Sequence, residues 1–168
     1  RRSPSREAGG GPVRTPPVAC LVDRDRPVGG SARPVRPLLI WGGGGVRGRA
    51  DNRFREFAGK LDAPVAITVM GGGGCPGAHP LTTGMIGMHG SQASNVACNE
   101  CDLLIAVGCR FSDRVALQPD TFASQAKIVH IDIDRSEIDK NVLTDHHLIG
   151  SATRVLELLH ERLPQYRH

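Results

Sequence analysis

The sequence predicts one α/β domain on an open, doubly wound, mostly parallel sheet, preceded by a disordered basic tail. Three observations carry this expectation. Short apolar runs recur at 38–41, 65–69, 102–108, 127–134 and 146–150. Helical-period segments or long crossovers separate them, as parallel strands require, since hairpins join only antiparallel ones. Most runs stop at Gly or Asp, and DLLIAVG at 102–108 is almost uninterrupted, the pattern of a strand covered on both faces.

The elements follow in order. LLIW at 38–41 ends at four consecutive glycines, Gly42 to Gly45, and reads as a strand followed by a tight turn. DNRFREFAGKL at 51–61 places Phe54, Phe57, Ala58 and Leu61 at i, i+3, i+4 and i+7, an amphipathic helix. Ala63-Pro64 ends it before a second strand, VAITV at 65–69, completing a βαβ unit. A glycine-rich stretch, 71–90, leads to SQASNVACNE, a helix with Ser91 as its cap. After the strand at 102–108 comes KIVHIDID at 127–134, also a strand, then RSEIDKN at 135–141 as a helical turn. HHLIG at 146–150 is a last short strand, and ATRVLELLHERL at 152–163 a closing amphipathic helix. There is no internal repeat.

Composition divides the chain into a tail, 1–36, and a domain, 37–168. Of 168 residues, Gly and Pro supply 21 and 12, and aromatics only 4%. Up to Pro37 there are eight arginines against three acids, whereas the remainder holds 13 basic and 14 acidic residues. The basic pI near 9.0 therefore belongs to the tail. A nearly neutral folded part argues against specific nucleic-acid binding, which needs Lys and Arg on folded elements. No stretch approaches the roughly 20 apolar residues of a membrane span, and no secretory signal stands at the start. Five cysteines, an odd number, favour a reducing compartment: the cytoplasm, or a plastid or mitochondrion in a eukaryote. Cys98 and Cys101 form a lone CxxC without the second pair a zinc site wants, so they read as buried or half-buried thiols at a helix end.

Ligands on doubly wound sheets bind at the carboxyl ends of the strands. The candidate rim is therefore Gly42 to Gly45, Thr68 to Met70, Gly108 to Arg114 and Asp132 to Glu137. Glycines after the first strand let backbone amides face a phosphate. No carboxylate ends the second strand, where a dinucleotide fingerprint puts one. Asp132 and Asp134, two apart on a strand and so on one face, are the candidate ribose acceptors; a solvated strand end or a cap by Asp134 is the plain alternative. Arg110 and Arg114 suit phosphate, or else structural ion pairs with Asp113 or Asp102. His89, between Gly87 and Gly90, reads as a cofactor contact or a backbone-ordering residue rather than a general base, and Met70, Met85 and Met88 as soft surfaces for a flat ring or else plain core. No catalytic or metal-binding residue is identified.

Taken together, GGGV (43–46), LDAPVAITVMG (61–71), HPLTTGMIGMHG (79–90), NECDLLIAVGCRFSDRV (99–115) and KIVHIDIDRSEIDKNV (127–142) resemble the central domain of the acetohydroxyacid (acetolactate) synthase large subunit. That family depends on thiamine diphosphate. The resemblance covers about Pro37 to Leu163 and implies a Rossmann-like domain binding FAD in an extended pose, the flavin serving structure rather than redox. The implied FAD contacts are Gly42, Gly43, Gly44, Thr68, Val69, Met70, Ile86, Gly87, Met88, His89, Gly108, Arg110, Asp113, Arg114, Val115, Asp132, Ile133, Asp134, Glu137 and Ile138. Two positions depart from the family pattern: Ser112, where it usually has an acid, and Ser151, where it often has Asp.

The resemblance also implies partners and a division of labour. In the family, a glutamate of an N-terminal domain activates the thiamine ring, and a GDG…N motif of a C-terminal domain holds Mg²⁺ and the diphosphate. Neither motif is in this chain, so the expectation is a fragment without carboligase activity of its own. The implied partners are the rest of the large subunit, further copies in a homo-oligomer, and a regulatory small subunit. Two alternatives stand beside it: a non-catalytic nucleotide-binding or oligomerisation domain of the same fold, and the same domain from a sibling such as glyoxylate carboligase.

Overall fold

The computed structural model describes residues 36–162 apart from Pro76 and Ala78. The expected tail therefore lies outside the described residues except for Arg36. Its backbone exchanges two hydrogen bonds with Asp102: Arg36 N–H donates to Oδ1 at 3.0 Å, and Arg36 C=O accepts from the Asp102 amide at 3.1 Å.

Six strands form one sheet in the order β3-β2-β1-β4-β5-β6, every neighbouring pair parallel. In chain order they are β1 (Pro37–Trp41), β2 (Val65–Ile67), β3 (Thr82–Met85), β4 (Leu103–Val107), β5 (Lys127–Asp132) and β6 (His146–Ile149). Among the described residues four α-helices accompany them: α1 (Gly43–Arg47), α2 (Asp51–Leu61), α3 (Gln92–Glu100) and α4 (Ala152–Arg162). This is the doubly wound order, whose sense reverses between β1 and β4.

Alternation along the central strands feeds two cores. On one face Leu39, Trp41, Ile105, Val107, Val129 and Ile131 pack with Phe54, Phe57 and Leu61 of α2 and Leu156 and Leu159 of α4. Trp41 lies over Phe54, ring centroids 4.3 Å apart. On the other face Leu38, Ile40, Leu104, Ala106 and Ile128 meet Cys98 of α3, with Phe111 and Ala116 of the β4–β5 connection. Each large side chain so buried contributes about 1.5–3 kcal/mol. Both faces being covered explains the continuous apolar runs.

Ser91 caps α3 as expected, its Oγ accepting the Ser94 N–H at 3.1 Å. Four expectations are corrected. β3 is a sixth strand inside the stretch read only as glycine-rich; its TTGM is half-buried and carries no apolar run. β2 stops at Ile67 rather than 69, because Thr68 caps a 3₁₀ turn at Val69–Gly71. β5 stops at Asp132 rather than 134, and the helical turn after it is a single 3₁₀ turn, Arg135–Glu137. The glycines after β1 begin α1 instead of a plain turn, although glycine is about 1 kcal/mol worse than alanine in a helix. Close packing explains that choice: a Cβ on Gly45 would lie 2.4 Å from the Trp41 ring.

Candidate functional site

Where the strand order reverses, connections leaving β1 and β4 diverge and open a crevice at their carboxyl ends. Its floor is a backbone saddle. Gly108, just past β4, has φ +59°, and a Cβ there would sit 2.3 Å from the Gly45 nitrogen. Gly44 N–H donates to Gly108 C=O at 2.9 Å, so the two loops touch with no side chain between them.

A cavity opens on each side of the saddle. Toward β5 and β6 lies one of about 390 Å³, lined by Asp132, Ile133, Asp134, Glu137, Gly150, Ser151 and Ala152 among others. Toward β2 and β3 lies one of about 290 Å³, lined by Thr68, Val69, Met70, Met85, Ile86, His89 and residues 109–112 and 114–115. Gly44, Arg47, Gly108 and Arg110 line both. The lobes differ in chemistry. All the carboxylates are in the first, whereas the second has three arginines, Arg47, Arg110 and Arg114, and no acid.

Local structure sets each group. Thr68 is buried; its Oγ1 accepts the Gly71 N–H at 3.1 Å, and the turn it caps presents Val69 and Met70 to solvent, 66% and 68% exposed. Met88 (54%) and Ile133 (72%) are exposed on the same rim. Large apolar side chains gathered round a cleft mark a ligand surface more than scattered ones do. Residues 86–90 are tied to the 108–115 loop, since Met88 N–H donates to Arg114 C=O at 2.9 Å. Asn95 holds Gly87 from below: its Oδ1 accepts the Gly87 N–H and its Nδ2 donates to the Gly87 carbonyl, both at 3.1 Å. Phe111 is buried at φ +47° with its ring edge-on to His130 at 5.0 Å, which anchors the arginine-bearing loop.

In the acidic lobe Asp132 is nearly buried, and its Oδ1 accepts the Asp134 N–H at 2.9 Å. Its Oδ2 is 3.8 Å from His130 Nε2. Burial lowers the His130 pKa, and this outweighs the pull of Asp132, so the imidazole is neutral and the contact is no ion pair. Asp134 accepts from the hydroxyl and amide of Ser136, and those bonds hold its carboxyl below the usual range. Glu137 is buried and bound to Lys140 Nζ at 3.1 Å, with Arg110 Nε at 3.9 Å.

The chain matches a family described as the central domain of thiamine pyrophosphate enzymes over residues 32–159. It belongs to that family. A probable acetolactate synthase large subunit of Methanocaldococcus jannaschii is 49% identical over 125 residues, 74% of this chain and 21% of the relative. The acetolactate synthase large subunit of Cyanidium caldarium is 44% identical over 124 residues, again 74% and 21%. An acetolactate synthase of Mycobacterium avium is 44% identical over 128 residues, 76% and 21%. The chain thus spans about one fifth of the length of these curated relatives.

Within this thiamine-enzyme domain, the groove gathers the sequence-predicted residues except Gly42, Gly87, Met88, Asp113 and Ile138. Gly42 is buried against Gly108; Gly87 supports the loop contact; Asp113 caps the Arg114 amide at 3.0 Å. Met88 is exposed and Ile138 half-buried beside the groove. Two readings change. Asp134 is a turn cap beyond the strand, not a strand partner of Asp132. Arg110 pairs with Glu137, not with Asp113 or Asp102. Sequence reasoning missed Arg47, which lines both lobes. A signal was present: Arg47 is four residues after Gly43, one helical turn, hence on the same face as a residue already assigned to the rim. Among the described residues no helix is long and apolar enough to cross a membrane.

Proposed function

We propose that this domain holds FAD, extended across the strand ends, as the central domain of an acetolactate synthase large subunit. The division of one groove into unlike lobes carries the reading. An acid-lined lobe accepts hydrogen bonds from ribose hydroxyls, with Asp132 at its floor, and an acid-free lobe offers Val69, Met70, Met85 and Ile86 to a flat ring. Cations stand between them, where a diphosphate linking the two ends would lie. Each lobe is of the size of a small-molecule site, roughly 300 Å³ or more. The residues present therefore fit the group. Bound there, the flavin supplies architecture and no redox step.

For the whole protein the proposed activity is decarboxylation of pyruvate and transfer of the two-carbon unit to a second 2-keto acid. Thiamine diphosphate and Mg²⁺ belong to the flanking domains in this scheme, and further subunits complete the enzyme. The chain alone is expected to make no acetolactate.

Two measurements test the proposal. The purified chain should be yellow or should take up added FAD, with a flavin absorption band that survives gel filtration. A colourless chain that retains none overturns the flavin assignment. Acetolactate formed from pyruvate, thiamine diphosphate, Mg²⁺ and FAD by the chain alone overturns the placement of catalysis in other domains.

A further inference from the structure

We infer that Arg47 is a phosphate-binding residue, which with Arg110 clamps the diphosphate of a dinucleotide at the saddle between the lobes. This rests on the reading of the groove as an FAD site and adds to it a cation that none of the family motifs contains. The argument begins with what the glycine run does. A diphosphate in a protein is matched by backbone N–H groups or by cationic side chains. Here the amides are largely spent: Gly42 donates to Val107 C=O at 2.9 Å, Gly44 to Gly108 C=O at 2.9 Å, and Gly45 to Gly42 C=O at 3.1 Å. The helix that follows is only five residues long. With three of the four glycine amides spent, side chains supply the rest of the charge.

Among the described residues, two cations line both lobes, Arg47 and Arg110. They come from the two connections that diverge at the switch point, one after β1 and one after β4. Arg110 is loosely engaged, 3.9 Å from a Glu137 oxygen that Lys140 approaches to 3.1 Å. Arg47 is exposed and has no hydrogen-bond or ion-pair partner among the described residues. No acid in the first turn of α1 competes for it. Its backbone is nonetheless fixed, because Thr153 Oγ1 of α4 donates to the carbonyl of Gly48 at 3.2 Å. An unpaired guanidinium on a held helix end, beside bare backbone, is set to take an anion in two parallel bonds.

The test compares ligands with and without phosphates on the 168-residue chain. Arg47→Ala should weaken FAD and ADP roughly tenfold to a hundredfold, the worth of a charge-assisted bond. Riboflavin and adenosine, which lack the diphosphate, should bind the variant and the parent equally, and Arg47→Lys should recover part of the loss. If Arg47→Ala binds FAD and ADP like the parent, the inference fails while the flavin reading stands. If the parent binds ADP but not FAD, the flavin reading falls, and the ADP arm alone decides Arg47. Binding of neither by the parent overturns both. An equal loss for riboflavin and adenosine would mean a distorted groove and likewise overturns the clamp.

Discussion

Gly87 and Gly59 offer the same substitution with opposite expected signs. At Gly87 the backbone has φ +105°, and an alanine Cβ would lie 2.1 Å from the Arg114 carbonyl oxygen. Holding a non-glycine residue in that sparsely populated backbone region costs about 1–3 kcal/mol. The loops must part to relieve the clash, which breaks the Met88 N–H to Arg114 C=O bond of 2.9 Å and forfeits about 1 kcal/mol more. Gly87→Ala should thus destabilise the domain by about 3 kcal/mol. With a urea slope of about 2 kcal/mol/M, the unfolding midpoint falls by about 1.5 M. Gly59 lies on the exposed side of α2 with nothing within 4 Å of its would-be Cβ. Gly59→Ala should therefore raise stability by about 0.5–1 kcal/mol through lower backbone entropy in the unfolded chain. Urea titrations of both variants with unchanged slopes make the comparison. A Gly87→Ala midpoint within about 0.3 M of the parent would refute the reasoning, since neither strain nor loop contact would then be real.

His130 gives a pH signature. Burial lowers its pKa from the ordinary 6.5, with Asp132 beside it and Asp139 and Glu137 nearby pulling the other way. The unfolded chain therefore binds a proton that the folded chain refuses, and stability falls as pH drops below about 6.5 until the folded-state pKa is passed. Between pH 7.5 and 5.5 this removes up to about 1.4 kcal/mol, and His130→Leu should flatten that limb of the urea-midpoint profile. The buried thiols give a third prediction. Burial raises Cys98 to about 11 and Cys101 and Cys109 to about 12, so all three are protonated at pH 8. Alkylation at pH 8 followed by peptide mapping should leave them unmodified in the native chain and modified in urea; prompt native labelling of any one contradicts the packing of the α3 face.

The legibility of the fold tracks burial. β1, β4 and β5 are buried on both faces, so their apolar runs named them directly. β3 went unseen because an edge strand of two threonines, a glycine and a methionine, half-buried, has neither an apolar run nor strict alternation. Strand ends misled at Thr68 and Asp134, whose side chains cap short turns; periodicity has no signal for a cap one or two residues past a strand. The rim followed from the rule that parallel strands present their carboxyl ends. The use of the glycines did not, because sequence cannot distinguish an amide aimed at a ligand from one spent on a neighbouring carbonyl.

The backbone saddle has a further consequence. Gly44 and Gly108 join the two halves of the sheet, and a ligand lying over them grips both halves at once. Such a ligand acts as a clasp: opening either half releases it, so occupancy opposes any parting of the two halves. At one hundred times its dissociation constant it adds about 2.7 kcal/mol to the folded state. Under the proposed flavin reading, a cofactor with no part in the chemistry would still stabilise the domain, by holding a glycine-rich seam in shape.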